Sequence, residues 1–470
     1  MSGDPLQKHS PRDGSLLVSF GNGSVADVDR AVVTAREAFD DGRWSGVSAQ
    51  YRKEVLCRLA SLLESHAEEL ALLECLDVGK PIRDALSFDV PMAVAFLRFN
   101  AESADKVYGK VYGTDGTSLS YDLHRPLGVA AGIVGWNFPL LLSVAKIAPV
   151  LAAGNTLVLK PSELTSLSAG RVAELAIEAG LPPGVLNVVH GGPHIGDRLA
   201  RHHDIDFLTF TGSTRTGKKL MIASGESNMK RLMLECGGKA PNIVFDDSPD
   251  LEAVAQAVTA RAFYNQGEVC SASSRLLIHD RIREKFLPLL MAEISALAPG
   301  DPLDPETRFG AIVSEEHRQK IMGFVDQGVG EGASVLYRSG AGAPVDGGYY
   351  AAPIVFDNVS PQHMIAREEI FGPVLSILSF RDESEAIRIA NNTIYGLSAV
   401  VWTRSLDRAH RMTQAIRAGW VVVNAGSSPR GGPGMGVLSV GGHKESGLGT
   451  EGGLQGLEEC MSRTAVQIFV

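Results

Sequence analysis

The stretch LGVAAGIVGWNFP at 127–139 sets the pattern for the chain: an apolar run, Val129 to Val134, halts at a glycine and leads into a segment opened by proline. The same unit recurs downstream. Thr156 to Leu159 runs into Lys160-Pro161-Ser162-Glu163, and Ile205 to Phe210 runs into Gly212-Ser213-Thr214-Arg215-Thr216-Gly217; Leu186 to Val189 lies between them. Ser166 to Gly180 separates two of these runs with a helical stretch. Strands without polar alternation are buried on both faces, and their alternation with helices predicts a parallel sheet covered on each side. A second series near Arg275 to His279, Val374 to Phe380, Ala399 to Thr403 and Trp420 to Asn424 predicts another lobe of the same kind. The expected fold class is α/β, with two doubly wound parallel-sheet lobes.

Working outward, Val25, Val28, Ala31, Val32 and Ala35 recur at three- and four-residue steps, a helix with Ser24 as its N-cap and Asp27 in the first turn. Leu56, Leu59, Leu62 and Leu63 continue into a second helix, and Gly79-Lys80-Pro81 punctuates the series. Ser118 to His124 and Thr464 to Val470 fit neither lobe; they alternate like half-exposed strands, which often pair with another subunit. They make a small β oligomerisation element.

At 470 residues the chain exceeds a single core, and its net charge of −10 argues against a nucleic-acid partner. Five cysteines without a CxxC pair match a reducing compartment, and Met1 to Gly14 has no apolar core of a signal peptide. No apolar run reaches the roughly 18 residues of a membrane span. A cytoplasmic protein is expected. His202 and His203 read as a polar loop, so no metal is expected.

Several turns carry chemistry-bearing residues. The loop Gly212 to Gly217 follows a strand and opens a helix, a place where backbone N–H groups can meet a phosphate; taken alone it is equally a plain turn. Its GxxxxGK spacing lacks the Ser or Thr of an NTPase P-loop, since Lys219 follows Lys218. Lys160 and Glu163, at a strand's carboxyl end, suit the hydroxyls of an adenosine ribose or merely a solvated turn. Cys270 sits among small and polar neighbours, unlike Cys57 and Cys75 on apolar helix faces; Cys236 reads as packing. Glu235 ends a buried strand, awkward for a carboxylate without a task, and Asn137 could donate to an oxyanion or simply satisfy its turn.

In combination these segments resemble the aldehyde dehydrogenase superfamily over essentially the whole chain. The matching stretches are GWNFP at 135–139, LAAGN at 151–155, KPSE at 160–163, FTGST at 210–214, ECGGK at 235–239, FYNQGEVC at 263–270, EEIFGPV at 368–374 and GGHKESG at 441–447. Up to Trp420 the chain is most similar to the bacterial branch acting on γ-glutamyl-aminobutyraldehyde and related ω-aldehydes, through HAEELALLECLDVGKPI at 66–82, GSTRTGK at 212–218 and SNMKRLMLE at 227–235.

The resemblance implies roles. Cys270 is the nucleophile, Asn137 the oxyanion donor beside the Cys270 N–H, Glu235 the general base, and Lys146 lies close by. Trp136, Lys160, Ser162, Glu163, Gly212, Ser213, Gly217, Glu369 and Phe371 match cofactor positions, with Glu163 favouring NAD over NADP. Glu235 speaks for hydrolysis of the thioester rather than transfer to coenzyme A. Leu142, Ala145, Tyr264, Val269, Ser271 and Val440 line the substrate channel. Ala145 and Val440 replace aromatics common in relatives, which implies a wide channel for a bulky or ω-substituted aldehyde, an aryl aldehyde being the alternative. The segment Gly426 to Leu438 is unusual for its position and weakens the aminoaldehyde assignment. A non-catalytic member of the fold would lack Cys270, Glu235 or Asn137, and all three are present. The implied division is 1–109 with 127–235 for NAD, 236–440 for catalysis, and 110–126 with 441–470 for assembly as a homodimer or homotetramer.

Overall fold

The apolar runs of the first series form a six-stranded sheet in the computed structural model, which describes residues 5–113, 116–425 and 437–469. Its spatial order is Gly447–Leu448, Arg231–Glu235, Phe207–Thr211, Val129–Ile133, Thr156–Lys160, Leu186–Val188. Only Gly447–Leu448 runs antiparallel. The three central strands are buried at every residue, the reason their sequences carry no polar alternation. From Val129–Ile133 the chain lays its next two strands to one side and the following two to the other. The strand order reverses there, so a crevice opens at that strand's carboxyl end, where Trp136 and Asn137 stand.

The second series forms a seven-stranded sheet in the order Ser334–Arg338, Ile354–Asp357, Val374–Phe380, Arg275–His279, Pro241–Val244, Ser398–Trp402, Trp420–Val423. It is parallel except at the Ser334–Arg338 edge. Three of its strands carry too little sequence signal to be expected. Pro241–Val244 is four residues long and starts with proline, tolerated because a first strand residue can lack its N–H. Ile354–Asp357 is equally short, and Ser334–Arg338 is mostly exposed.

Upstream, the periodic segment divides into the helices Val25–Asp40, Ala49–Ser65, Ala67–Val78 and Val90–Ser103. Ser24 and Asp27 form a reciprocal capping box at the first. Gly79, at φ +86, ends the third helix, where a Cβ would lie 2.9 Å from the Ala311 carbonyl oxygen. The chain then passes through Ile82–Asp84 and a π-helical turn, Ala85–Asp89. The last three share one apolar cluster with Pro139–Ala152, a helix buried at all but one of its positions, whereas Val28, Val32 and Ala35 of the first pack in a separate cluster with Val129 and Leu208 of the sheet. A hairpin, Leu6–His9 with Leu16–Phe20, ties the helices to the second lobe: Lys8 Nζ donates to the Asp77 carbonyl at 2.6 Å, and Arg12 pairs with Asp301 at 2.7 Å.

The segment 441–470 is divided four ways, beginning with His443–Lys444, which pairs antiparallel with Tyr395–Gly396. Gly447–Leu448 edges the first sheet, Gly453–Glu459 packs on Val90–Ser103 and Pro139–Ala152, and Met461–Phe469 pairs antiparallel with Ser118–Pro126. That ribbon runs from Ser118 opposite Phe469 to Pro126 opposite Met461. No described helix is long and apolar enough to cross a membrane.

Candidate active site

Cys270 lies in the gap between the two sheets, on a loop whose backbone is strained. Helix Leu251–Phe263 ends at Tyr264, and the next three residues are left-handed: Asn265 at φ +47, Gln266 at +57 and Gly267 at +75. Such a run persists only where the surroundings over-determine it. Here the Asn265 amide donates to the Asn137 carbonyl at 3.1 Å, Gln266 Oε1 accepts from Gly310 N–H at 2.9 Å, and Gly267 sits where a Cβ would be 2.4 Å from the Gly372 carbonyl oxygen. Glu268 is wholly buried, and its Oε1 accepts from Val313 N–H at 3.1 Å. Burial raises its pKa well above the ordinary value.

Asn137 reaches the same loop: its Nδ2 donates to the Glu268 carbonyl at 2.9 Å. One amide hydrogen is used there, which leaves the second for a ligand. Cys270 is half-buried, and burial, then the carboxylates of Glu369 and Glu235, push its thiol up to about 12. The backbone N–H groups of Ser271 and Cys270 itself oppose that shift.

Glu235 ends its strand near enough to raise the pKa of this thiol. Burial first and Glu451 second raise its pKa to about 8, while Lys146 lowers it; its Oε1 has no hydrogen-bond partner. Lys146 is fully buried in the middle of Pro139–Ala152 and pairs with Glu451 at 2.7 Å. Glu451 is held in place by a two-way backbone bridge with Val440, at 2.8 and 2.7 Å. Three ionisable groups from three distant segments thus converge: Glu235, Lys146 and Glu451. The sequence offered no sign of Glu451 beyond an acid among the glycines of Gly449 to Gly453.

The pair Gly237-Gly238 explains why ECGGK needs two glycines. A Cβ on Gly237 would lie 2.3 Å from Glu369 Oε2, and one on Gly238 would lie 2.3 Å from the Cys270 carbonyl oxygen. Gly238 N–H donates to Glu369 Oε1 at 2.8 Å, and burial raises the Glu369 pKa to about 7. Phe371 follows at φ +59, with its carbonyl 2.7 Å from His317 Nε2. Trp136 stands edge-on to both His317 and Phe371, each 5.1 Å away between ring centres. His317, unremarkable as sequence, therefore joins Trp136 and Phe371, which come from different lobes. Burial lowers its pKa to about 4, so the ring is neutral and can donate to that carbonyl.

The remaining expected cofactor residues line the carboxyl edge of the first sheet. Lys160 Nζ is buried, donates to the Pro161 carbonyl at 3.1 Å and lies 3.4 Å from Glu163 Oε2. Ser162 Oγ accepts from Leu164 N–H and shapes that turn. Ser213 caps helix Thr214–Gly225, and a Cβ on Gly212 would strike the Phe210 ring at 2.5 Å. A buried lysine, a capped helix start and a Cβ-free approach suit a dinucleotide diphosphate and ribose. Gly217 faces Cys236 Sγ, 2.7 Å from where a Cβ would sit, so close helix–strand packing requires glycine there. Lys218 pairs with Glu445 at 2.7 Å.

Of the expected channel residues, Leu142, Ala145, Tyr264 and Val269 share one apolar cluster with Phe88 and Phe138. Ser271 turns its carbonyl to Ser398 in the second lobe. Val440 is placed beside Glu451 by the bridge described above. Residues 426–436, most of the unusual segment, lie outside the described residues.

A two-lobed α/β scaffold with an enclosed thiol, a raised carboxylate and a dinucleotide-type crevice defines a dehydrogenase class that works through a cysteine. Residues 1–466 match the aldehyde dehydrogenase family, and the chain belongs to it. It is 48% identical to the NADP/NAD-dependent aldehyde dehydrogenase PuuC of Escherichia coli (strain K12), over 94% of this chain and 88% of that protein. Among solved structures, it is 45% identical to the γ-glutamyl-γ-aminobutyraldehyde dehydrogenase of Burkholderia cenocepacia J2315, with a TM-score of 0.95 over 100% of this chain and 94% of the other. It is also 45% identical to the indole-3-acetaldehyde dehydrogenase AldA of P. syringae, solved with NAD+ and IAA, with a TM-score of 0.96 over the same shares.

Proposed function

We propose that this enzyme oxidises a bulky or ω-substituted aldehyde, of the γ-glutamyl-aminobutyraldehyde or aminoaldehyde type, to its carboxylic acid with NAD+. The observation that supports the mechanism is that the Asn137 amide bonds the loop carrying Cys270, at the Glu268 carbonyl, while Glu235 acts on the Cys270 thiol electrostatically. Cys270 Sγ attacks the aldehyde carbon, and the oxyanion accepts from the free Asn137 amide hydrogen and the Cys270 backbone N–H. Collapse of that oxyanion expels hydride and leaves a thioester on Cys270; NAD+, which Trp136, Lys160, Ser162, Glu163, Gly212, Ser213, Gly217, Glu369 and Phe371 would hold, would supply the hydride acceptor. Glu235 then takes a proton from the water that cleaves the thioester, releasing the acid and restoring the thiol. Lys146 and Glu451 pull the Glu235 pKa in opposite directions and set how readily it accepts that proton.

The Glu163 carboxylate favours NAD+ because it accepts from a ribose 2′-hydroxyl and repels a 2′-phosphate. Ala145 and Val440 widen the channel. An aryl aldehyde is the second reading, favoured by the ring wall of Phe88, Phe138 and Tyr264. Assembly through the Ser118–Pro126 and Met461–Phe469 ribbon is supported by the outward Leu119, Ile468 and Phe469. Segments 110–126 and 441–470, which contain this ribbon, form the assembly unit, beside an NAD-binding unit of 1–109 and 127–235 and a catalytic unit of 236–440. Five free thiols fit the reducing cytoplasm.

NADH formation over γ-glutamyl-aminobutyraldehyde, 4-aminobutyraldehyde, benzaldehyde and acetaldehyde, with Cys270→Ala beside the wild type, tests the proposal. The ω-aldehydes should give the highest kcat/KM, with all turnover lost in the variant. Highest kcat/KM with acetaldehyde would refute the wide channel, and turnover surviving in Cys270→Ala would refute the nucleophile.

A further inference from the structure

The Glu268 carboxyl takes no part in the chemistry at Cys270, yet it is fully buried two residues before the nucleophile. Its Oε1 accepts from Val313 N–H at 3.1 Å and lies 3.9 Å from His317 Nε2, while its Oε2 has no hydrogen-bond partner. The neighbouring Lys80 ammonium and Gln266 amide favour its ionised form, but burial outweighs them and raises its pKa well above the ordinary value. An apolar side chain would avoid the cost of burying this acid, so the contact with Val313 is what the acid supplies.

Val313 ends a buried segment whose four N–H groups are all engaged by distant partners. Gly310 donates to Gln266 Oε1 at 2.9 Å, Ala311 to the Gly79 carbonyl at 2.8 Å, Ile312 to the Tyr349 carbonyl at 2.7 Å, and Val313 to Glu268. Two of the four therefore hold side chains of the loop that carries Cys270. That loop is left-handed at Asn265, Gln266 and Gly267 and keeps its shape only through such outside contacts.

The backbone of Glu268 is where this support meets the oxyanion donor. Its carbonyl accepts from Asn137 Nδ2 at 2.9 Å and from Asn265 Nδ2 at 3.3 Å. The two hydrogens of a primary amide share one plane, so the direction of the bonded one fixes the other. On its own chain Asn137 is followed by Phe138, whose ring centre lies 4.1 Å from Lys80 Nζ, with Glu74 and Asp89 around that ammonium. A donor aimed at an oxyanion tolerates little misplacement, since a shift of about 1 Å can cost on the order of 10² in rate.

We propose that the Glu268 side chain is a positioning residue for the oxyanion donor: by accepting from Val313 N–H it fixes its own carbonyl, and through it the direction of the second Asn137 amide hydrogen. This rests on the reading of Asn137 as that donor.

The test compares wild type with Asn137→Ala, Glu268→Gln, Glu268→Met and the double variant Asn137→Ala/Glu268→Met, by kcat and KM at saturating NAD+ with the aldehyde of the panel turned over best. Glu268→Met fills similar space but cannot accept from Val313, and should lower kcat about tenfold or more with KM within about threefold. Glu268→Gln keeps the accepting oxygen and the neutral form, and should stay within about threefold of wild type in kcat. Because both changes act through one amide, the double variant should be no slower than Asn137→Ala alone. Should Glu268→Met fail to fold, Glu268→Asp, which is too short to reach Val313, takes its place in the single and double variants with the same expectation. Losses that multiply in the double variant overturn the assignment, as does a Glu268→Gln as slow as Glu268→Met, or wild-type kcat in Glu268→Met. Wild-type kcat in Asn137→Ala overturns the oxyanion reading itself, and this inference with it.

Discussion

Replacing Glu235 by Gln should abolish steady turnover and at the same time stabilise the folded protein, by an amount that depends on pH. Burial raises the Glu235 pKa from 4.5 to about 8. Between those values the carboxyl is protonated in the folded protein and ionised in the unfolded chain, so the folded state binds more protons. Stability attributable to this group is therefore greatest below 4.5 and falls as pH rises toward 8, by about 1.4 kcal/mol per pH unit at most. Over the whole interval the ceiling is on the order of 5 kcal/mol, and water entering the crevice reduces it. Gln cannot ionise and escapes the penalty. Denaturant midpoints for both proteins at pH 5, 6, 7, 8 and 9, at one protein concentration, should show an advantage for Glu235→Gln that grows to about pH 8 and then levels. A stopped-flow trace of the variant should show one NADH burst followed by slow release of acid. An advantage independent of pH, or a variant less stable at pH 8, would show that Glu235 is not held in the environment described.

Asn137→Ala should lower kcat by roughly 10²–10³ with little change in substrate KM, read by steady-state kinetics, because an oxyanion donor acts mainly in the transition state. Glu369 raises the Cys270 thiol pKa and should slow its reaction in the cofactor-free enzyme. Iodoacetamide should therefore alkylate Glu369→Gln faster than wild type at pH 8; a slower reaction would contradict that coupling. Lys146→Met leaves the part-buried Glu451 without its cation, at a cost of about 1–3 kcal/mol in stability, since Glu451 keeps some contact with water. Lys146 also lowers the Glu235 pKa, so the acidic limb of the kcat–pH profile should move to higher pH in that variant.

Much of the fold was legible because burial leaves a pattern in sequence. Strands Arg275–His279 and Val374–Phe380 have the bounds their apolar runs predict, and most of the others differ by one or two residues at their ends. Pro241–Val244 escaped notice because a proline at its start imitates an edge. The left-handed Asn265 and Gln266 escaped for a different cause: their backbones are set by contacts with Asn137 and Gly310 rather than by neighbours in sequence. The residues expected at the thiol came from ordered motifs such as ECGGK and FYNQGEVC. Those motifs hold local geometry, such as the two close approaches at Gly237 and Gly238.

By itself the sequence determined the alternation of buried strands and helices in two series, and its motifs, through the family they resemble, implied a nucleophile, a base and an oxyanion donor, while the strand order that opens a crevice came from the structure. The alternation and the motifs depend on local hydrophobicity and on short spacings, which a linear chain records. Only the tertiary structure decided that Glu451 reaches Lys146 across 305 positions, that His317 joins Trp136 to Phe371, and that Val313 donates to the Glu268 carboxyl beside Cys270. Such meetings follow from how packed elements bring distant side chains together, and no local pattern in the chain carries that information.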